Sequence, residues 1–173
     1  IAEQCHYSMF ERQYVENVYL PLFEPRYALA TTIWGALDGG VLTGKYTNTD
    51  EAPTGSRMHR DSYLSAFYDK IPQWKHDRIR KLRKLCANEA ALANCSLITL
   101  ALAWTLKNDN MTVVILGARK PDQLDVQFEA LELAAKLDEN VMKKIEEILQ
   151  NKPVPDPKLF NSWGRSKRNF RAR

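Results

Sequence analysis

The chain has 173 residues, of which 45% are hydrophobic and 27% charged, and its net charge is +4. This size suits one globular domain with its own core. The sequence has no apolar run long enough to cross a bilayer and no basic-then-apolar leader, so we expect a soluble, cytoplasmic protein. The three cysteines, Cys5, Cys86 and Cys95, lack the spacing of a metal site and are expected to be buried free thiols.

Three segments are predicted to be strands. Residues 2–10 form a short one, with Ala2, Cys5 and Tyr7 as its buried positions. Residues 29–37, "LATTIWGAL", and residues 111–118, "MTVVILGA", are apolar and β-branched without alternation, which is typical of strands buried on both faces. Because the chain begins inside a strand, we expect it to be a piece of something longer.

Apolar residues recur with helical spacing in the segments between and after these strands. Pro25 should end the first helix, Asn94 should close the second in a left-handed conformation, and Ser96 should cap the third. Pro121 suits the first turn of the fourth, and Asp138 marks the start of the fifth. Residues 47–62 are predicted to be a loop and residues 62–71 a short helix or turn. The predicted helices are residues 11–24, 73–93, 96–109, 120–135 and 138–150.

Apolar strands separated by helices indicate parallel pairing in an α/β fold. Three strands are too few for this many helices in a stand-alone domain. The sequence therefore predicts a partial (β/α)8 barrel of the TIM type. Its open strand edges would make the chain aggregate, dimerise through those edges, or be only partly ordered.

Glycine and basic residues mark the ends of two predicted strands. After the strand that ends at Trp34, four glycines allow sharp turns, and Lys45 then places a cation near exposed backbone N–H groups. The segment "VVILGARKPDQL" leads through Gly117, Arg119 and Lys120 into a helix N-terminus, which also attracts anions. The two segments that follow these strands indicate a phosphate site of the kind that α/β barrels hold at the carboxyl ends of their strands. The alternative for either segment is a plain tight turn.

Basic residues are also concentrated in residues 75–84 and in the tail "GRSKRNFRAR". Such stretches can touch nucleic acid, acidic lipid or a partner protein. We favour the alternative for both, a solvated helix face in the first and a flexible end in the second. Nucleic acid is not an expected partner, because nothing in the sequence supplies a module that reads bases.

Several segments in order resemble those of the aldo-keto reductase family. The resemblance is strongest to the branch that includes the β subunits of voltage-gated potassium channels, and it runs from residue 1 to about Pro153. The segments that carry it are "EQCHYSMFER", "TTIWGALDGGVLTGKY", "SR", "LALAWTLKN", "VVILGARKPDQL" and "ILQNKP".

The resemblance implies a (β/α)8 barrel that binds NADP(H) and reduces small carbonyl compounds by hydride transfer. Residues 1–153 would be its carboxyl-terminal half, roughly the last three strands with their helices, and residues 154–173 a basic, flexible tail. A homo-oligomer or a channel is an implied partner. The alternatives are a regulatory protein like the channel β subunits and a non-catalytic, truncated remnant.

The resemblance also implies cofactor contacts in the first half of the chain. Gln4 resembles the glutamine that hydrogen-bonds the nicotinamide carboxamide, and Trp34 the aromatic residue close to the nicotinamide ring. Leu37, Gly40 and Lys45 match the loop that wraps the pyrophosphate.

Further implied contacts hold the adenosine end of NADP(H). Ser56 and Arg57 resemble the pair that contacts it, with the arginine on the 2′-phosphate. Gly117, Arg119 and Gln123 match the strand exit and helix that hold the adenosine phosphate and the adenine.

The catalytic residues of the family come from the first half of its barrel, so no residue here is assigned a catalytic role. Some retained segments also depart from the family pattern. Asp38 puts negative charge beside the pyrophosphate site, and the glutamate and asparagine that clasp adenine become Val126 and Gln127. We expect a drifted cofactor half-site.

Overall fold

The computed structural model describes residues 1–47, 51–59 and 63–154. Its strands are β1, Ala2–His6, β2, Ala30–Trp34, and β3, Val113–Val114. They pair in the order β1-β2-β3, and both pairs are parallel. The predicted α/β class with a parallel sheet is confirmed. The tail beyond residue 154 lies outside the described residues.

Four α-helices are found in the described residues: α1, Gln73–Asn88, α2, Leu97–Leu106, α3, Pro121–Lys136, and α4, Glu139–Leu149. None of them is long and apolar enough to cross a bilayer. The predicted caps are confirmed where side chains accept backbone N–H groups, because Ser96 Oγ accepts from Thr99 N at 3.0 Å and Asp138 Oδ1 from Val141 N at 2.8 Å.

The helix predicted over residues 11–24 is wrong in extent. The structure has a π-helical turn, Tyr14–Val18, and then a 3-10 turn, Leu20–Leu22. Pro21 has no backbone N–H, and its ring would clash with the carbonyl four residues earlier, so an α-helix cannot pass through this point.

Two other predicted elements are shorter than expected. The strand expected over residues 111–118 pairs only at Val113–Val114, because β2 turns away at Gly35, whose φ is +73°. The helix expected over residues 73–93 stops at Asn88, and a 3-10 turn, Ala90–Leu92, follows it. Asn94 is left-handed as predicted, at φ +56°, but it does not close the helix.

Within residues 1–47, 51–59 and 63–154, the sheet is covered on one face only. Cys5, Tyr7 and Ile33 point to the helices and are buried, as predicted for the first two, whereas Ala2 is exposed and that prediction is wrong. Strand alternation places the other set of side chains on the opposite face, which we call the open face. Trp34 there is 46% exposed. The open face consists of Gln4, His6, Thr32, Trp34, Val113 and Ile115.

A buried ionic network joins the segment after β1 to the last helix. The Arg12 guanidinium donates to Glu16 through Nε at 2.9 Å and Nη2 at 2.7 Å, and to Glu146 Oε2 of α4 at 2.8 Å. Tyr7 Oη donates to Glu16 Oε1 at 2.7 Å, and burial with the Glu16 charge raises the pKa of that phenol. Burial alone would lower the pKa of Arg12, but its two carboxylate partners raise it. Arg12 therefore keeps its charge and joins the segment after β1 to α4.

Replacing Arg12 by Met should lower the free energy of unfolding by about 3–5 kcal/mol, because Glu16 would keep a largely buried charge with no cationic partner. Urea denaturation at neutral pH measures this. Arg26→Met is the matched control, since Arg26 and Glu24 are 45% and 52% exposed and their pair should contribute about 0–1 kcal/mol. Equal losses of unfolding free energy in Arg12→Met and Arg26→Met would contradict the stabilising role assigned to the buried network.

The open face predicts self-association of the chain. Val113 and Ile115 are 50% and 44% exposed, and parallel sheets are normally covered on both faces. Sedimentation velocity should show association that the double variant Val113→Thr, Ile115→Thr reduces. Val154→Thr, which removes an 85% exposed valine from the far end of the described chain, should not. A monodisperse wild-type monomer at high concentration would contradict this.

Candidate functional site

A loop of residues 35–44, the glycine loop, follows β2 at the carboxyl edge of the sheet. All four of its glycines have positive φ: Gly35, Gly39, Gly40 and Gly44. A Cβ at Gly35 would lie 2.5 Å from the His6 ring, and one at Gly44 would collide with Arg83. The loop therefore needs glycine both for its backbone conformation and for its close packing.

Helix α1 holds the glycine loop from outside. Lys75 Nζ lies 2.6 Å from Asp38 Oδ2, with the two side chains 20% and 10% exposed. Arg83 Nη2 donates to the Gly44 carbonyl at 3.3 Å. The Asp38 charge, which the sequence places beside a phosphate site, is thus neutralised by a lysine from a distant helix.

The predicted loop residues differ in what they offer to an anion. Leu37 is partly buried against the core, and its carbonyl accepts from Gly40 N at 2.9 Å, so that N–H is used within the turn. Lys45 is exposed, and its Nζ lies 5.1 Å from the ring centroid of Tyr46. The accessible positive charge of this loop is that of Lys45.

The segment that carries Ser56 and Arg57 lies against both the glycine loop and the exit of β3. The Met58 Cε atom lies 3.3 Å from where a Cβ of Gly39 would be. On the other side, Arg119 Nη1 approaches the Gly55 carbonyl at 3.5 Å. Arg57 is exposed.

The exit of β3 is fixed by two glutamines. Gln127 Nε2 donates to the Gly117 carbonyl at 3.1 Å, and Gln123 Oε1 accepts from Arg119 N at 2.8 Å. Gln127 is 6% exposed, so its amide shapes the turn. The Gly117 turn itself is exposed, which leaves it open to a ligand.

These contacts make one continuous surface, which we call the carboxyl rim: residues 35–47, 55–59 and 117–123. Lys45, Arg57 and Arg119 supply its predicted cations. Trp34 and Gln4 lie beside it on the open face, where Trp34 stacks on His6 with ring centroids 4.3 Å apart. The three segments that carry most of the predicted residues are therefore in contact with one another.

Polar atoms without partners are concentrated at the carboxyl rim. Across the part of the chain that the structure describes, buried side-chain atoms lack a hydrogen bond in five residues, and four of these lie at or beside the rim. Such atoms are costly unless a ligand or water satisfies them. The unpaired Tyr46 and Thr47 hydroxyls were not predicted from the sequence, since nothing in the spacing of these residues distinguishes them from core residues. The four atoms are His6 Nε2, Tyr46 Oη, Thr47 Oγ1 and Ser56 Oγ.

Comparison with known proteins identifies the class to which this fold and site belong. The model of the aldo/keto reductase family matches residues 1–150. The chain belongs to the aldo/keto reductase family, which confirms the resemblance drawn from the sequence. Proteins of this family generally use a nicotinamide cofactor.

Its curated relatives include proteins named as potassium channel β subunits. The chain is 36% identical to a putative voltage-gated potassium channel subunit beta of Schizosaccharomyces pombe, over 89% of this chain and 43% of that protein. It is 37% and 35% identical to probable subunits of the same name from Oryza sativa subsp. japonica and Arabidopsis thaliana, each over 88% of this chain and 45% of the relative. The chain thus spans about half the length of the curated relatives it matches.

Lys75→Met should lower the free energy of unfolding by about 2 kcal/mol, because it leaves the Asp38 carboxylate largely buried without its partner. Chemical denaturation of Lys75→Met, Asp38→Asn and the double variant measures the coupling. The double variant should be more stable than Lys75→Met alone. If the double variant loses as much unfolding free energy as the two single variants together, Lys75 and Asp38 are not coupled.

Proposed function

We propose that this chain is the NADP(H)-binding, carboxyl-terminal half of an aldo-keto reductase barrel. The observation that carries the proposal is the continuity of the carboxyl rim, where three separate segments bring cations and unpaired polar atoms together. Family membership supports the cofactor class.

The residues present fit a dinucleotide phosphate. Lys45 and the turns of the glycine loop suit the pyrophosphate, and Arg57 and Arg119 suit the 2′-phosphate, to which guanidinium groups donate paired hydrogen bonds. The unpaired Ser56 Oγ, next in sequence to the Gly55 carbonyl that Arg119 approaches, would gain a partner. When bound, the cofactor supplies a hydride.

The departures from the family pattern do not remove this site. The Asp38 carboxylate is paired with Lys75 and therefore adds little repulsion to an approaching phosphate. Gln127 does not clasp adenine, because its amide is already bonded to Gly117. We therefore expect weaker adenine recognition, with more of the affinity resting on the phosphates.

A complete site would require further protein on the open face. Gln4 and Trp34 would bind and orient the nicotinamide there, and a covering segment would exclude water and supply the proton for carbonyl reduction. The bare sheet face and the relatives' greater length support a barrel that is completed by other strands. The carbonyl substrate would bind between the two halves.

Titration with NADPH, followed by quenching of tryptophan fluorescence, tests the proposal. Saturable quenching is expected, and Arg57→Ala and Arg119→Ala should each weaken binding of NADPH about tenfold while changing NADH binding little, because a lost charge-assisted hydrogen bond costs about 1.5–3 kcal/mol.

Arg26→Ala is the matched control, since Arg26 precedes the amino end of β2, at the strand end opposite the rim, and pairs with Glu24. It should leave the dissociation constant unchanged. If NADPH at millimolar concentration causes no saturable change, the cofactor proposal is wrong and the non-catalytic remnant becomes the better account.

A second candidate function is regulatory, as a protein like a channel β subunit that binds NADP(H) and docks to a membrane partner. The printed names of the relatives favour it. Co-purification with a voltage-gated potassium channel from the same source would support it. If a channel-free barrel that contains this chain turns over carbonyl substrates, the enzymatic function is favoured.

A further inference from the structure

Two of the three cysteines form a close pair that the cofactor site does not use. Cys86, in α1, is 3% exposed, and Cys95, just before the Ser96 cap of α2, is half-buried. Their Sγ atoms are 3.7 Å apart. We propose that Cys86 and Cys95 are a peroxide-sensitive thiol pair that closes to a disulfide and tightens the Gly44 turn of the carboxyl rim.

The two thiols have different roles in this reaction. The contact between the two Sγ atoms lowers the pKa of Cys95, and the same contact, together with burial, raises the pKa of Cys86. Cys95 is also the more exposed of the two, so it provides the thiolate that meets a peroxide. Cys86 is placed to resolve the oxidised product.

The chemistry balances with hydrogen peroxide as the oxidant. The Cys95 thiolate attacks one peroxide oxygen, the O–O bond breaks, and hydroxide leaves, which gives a sulfenic acid. The Cys86 sulfur then attacks the Cys95 sulfur, the S–O bond breaks, and the proton of Cys86 leaves with the hydroxyl as water. Overall, two thiols and one hydrogen peroxide give one disulfide and two waters.

The backbone between the cysteines can follow this change. Residues 90–92 form a single 3-10 turn, and Ala93 and Asn94 are left-handed, at φ +48° and +56°. The sulfur atoms must approach from 3.7 Å to about 2.05 Å. A short, irregular connection accommodates this shift more readily than two rigid helices would.

The pair is coupled to the glycine loop through its neighbours on both sides. Arg83, one turn before Cys86, and Leu97, two residues after Cys95, both pack on Gly44, where a Cβ would lie 2.8 Å from Leu97 Cδ1 and would collide with Arg83. Arg83 also donates to the Gly44 carbonyl. Drawing Cys86 and Cys95 together therefore clamps the turn that carries Lys45.

The test begins with the full chain and a small molar excess of hydrogen peroxide. Cleavage after Glu89 separates the two cysteines in sequence, so under non-reducing conditions a disulfide should hold the two peptides together until dithiothreitol releases them. Cys5→Ser is the matched control and should give the same linked peptides. Linkage through Cys5 instead, or no linkage, would overturn the proposal.

Single variants test the order of the steps. In Cys86→Ala, Cys95 should stop at the sulfenic acid and be labelled by dimedone, whereas in Cys95→Ser the buried Cys86 should remain unlabelled. Circular dichroism establishes that both variants keep the wild-type helix content. Labelling of Cys86 in place of Cys95 would overturn the assigned roles.

Hydrogen exchange tests the coupling to the rim without any cofactor, so its result is independent of the proposed function. The amides of residues 44–47 should exchange at least about threefold more slowly in the oxidised chain, and reduction should restore the original rate. In Cys86→Ala and in Cys95→Ser, peroxide should leave these exchange rates unchanged. Unchanged exchange at residues 44–47 in a chain shown to carry the disulfide would overturn the coupling.

Discussion

The parallel register of the three strands is the constraint on which the rest of the structure depends. Ala2 pairs with Ala30 and His6 with Trp34, while Thr32 pairs with Val113, so all three strands end at one edge of the sheet. Each segment that leaves a strand therefore starts at that edge. Residues far apart in sequence can meet there without any long-range motif. The carboxyl rim is a direct consequence of this alignment.

The conformation of the glycine loop is maintained by α1 as well as by its own glycines. Glycine allows the positive φ values, but it contributes no side chain to hold the turn. Lys75 supplies an ion pair to Asp38 and Arg83 a hydrogen bond to Gly44. The helix whose basic run looked like a solvated face thus has two of its cations turned toward the loop. This arrangement explains how an acidic residue is accommodated beside a proposed phosphate site.

The features predicted correctly from the sequence are those decided by local chemistry. The caps at Ser96 and Asp138 were predictable because a side-chain oxygen near a helix start has few other partners, and the parallel class followed from the continuous apolar runs. The extent of β3 was not predictable, because it depends on where its neighbour turns at Gly35. The broken helix near Pro21 shows that a helical apolar pattern does not compensate for a missing N–H.

The candidate site was predictable only in part, because residues far apart in sequence support it. The family resemblance gave the rim residues, but the ion pairs that support them cross long distances in sequence. Asp38 and Lys75 are 37 positions apart, and Arg12 and Glu146 are 134 apart. No periodicity links such residues, because the topology alone brings them together. The exposure of Ala2 follows from strand alternation, which places it on the same face as Gln4 and His6.

The central claim is that one NADP molecule contacts all three segments of the carboxyl rim. Backbone amide chemical shifts of the isotope-labelled chain, recorded during a titration with NADPH, test it most directly. The account predicts that residues 35–47, 55–59 and 117–123 shift together with a single dissociation constant. Shifts confined to one segment, or spread over the helices on the covered face, would contradict it.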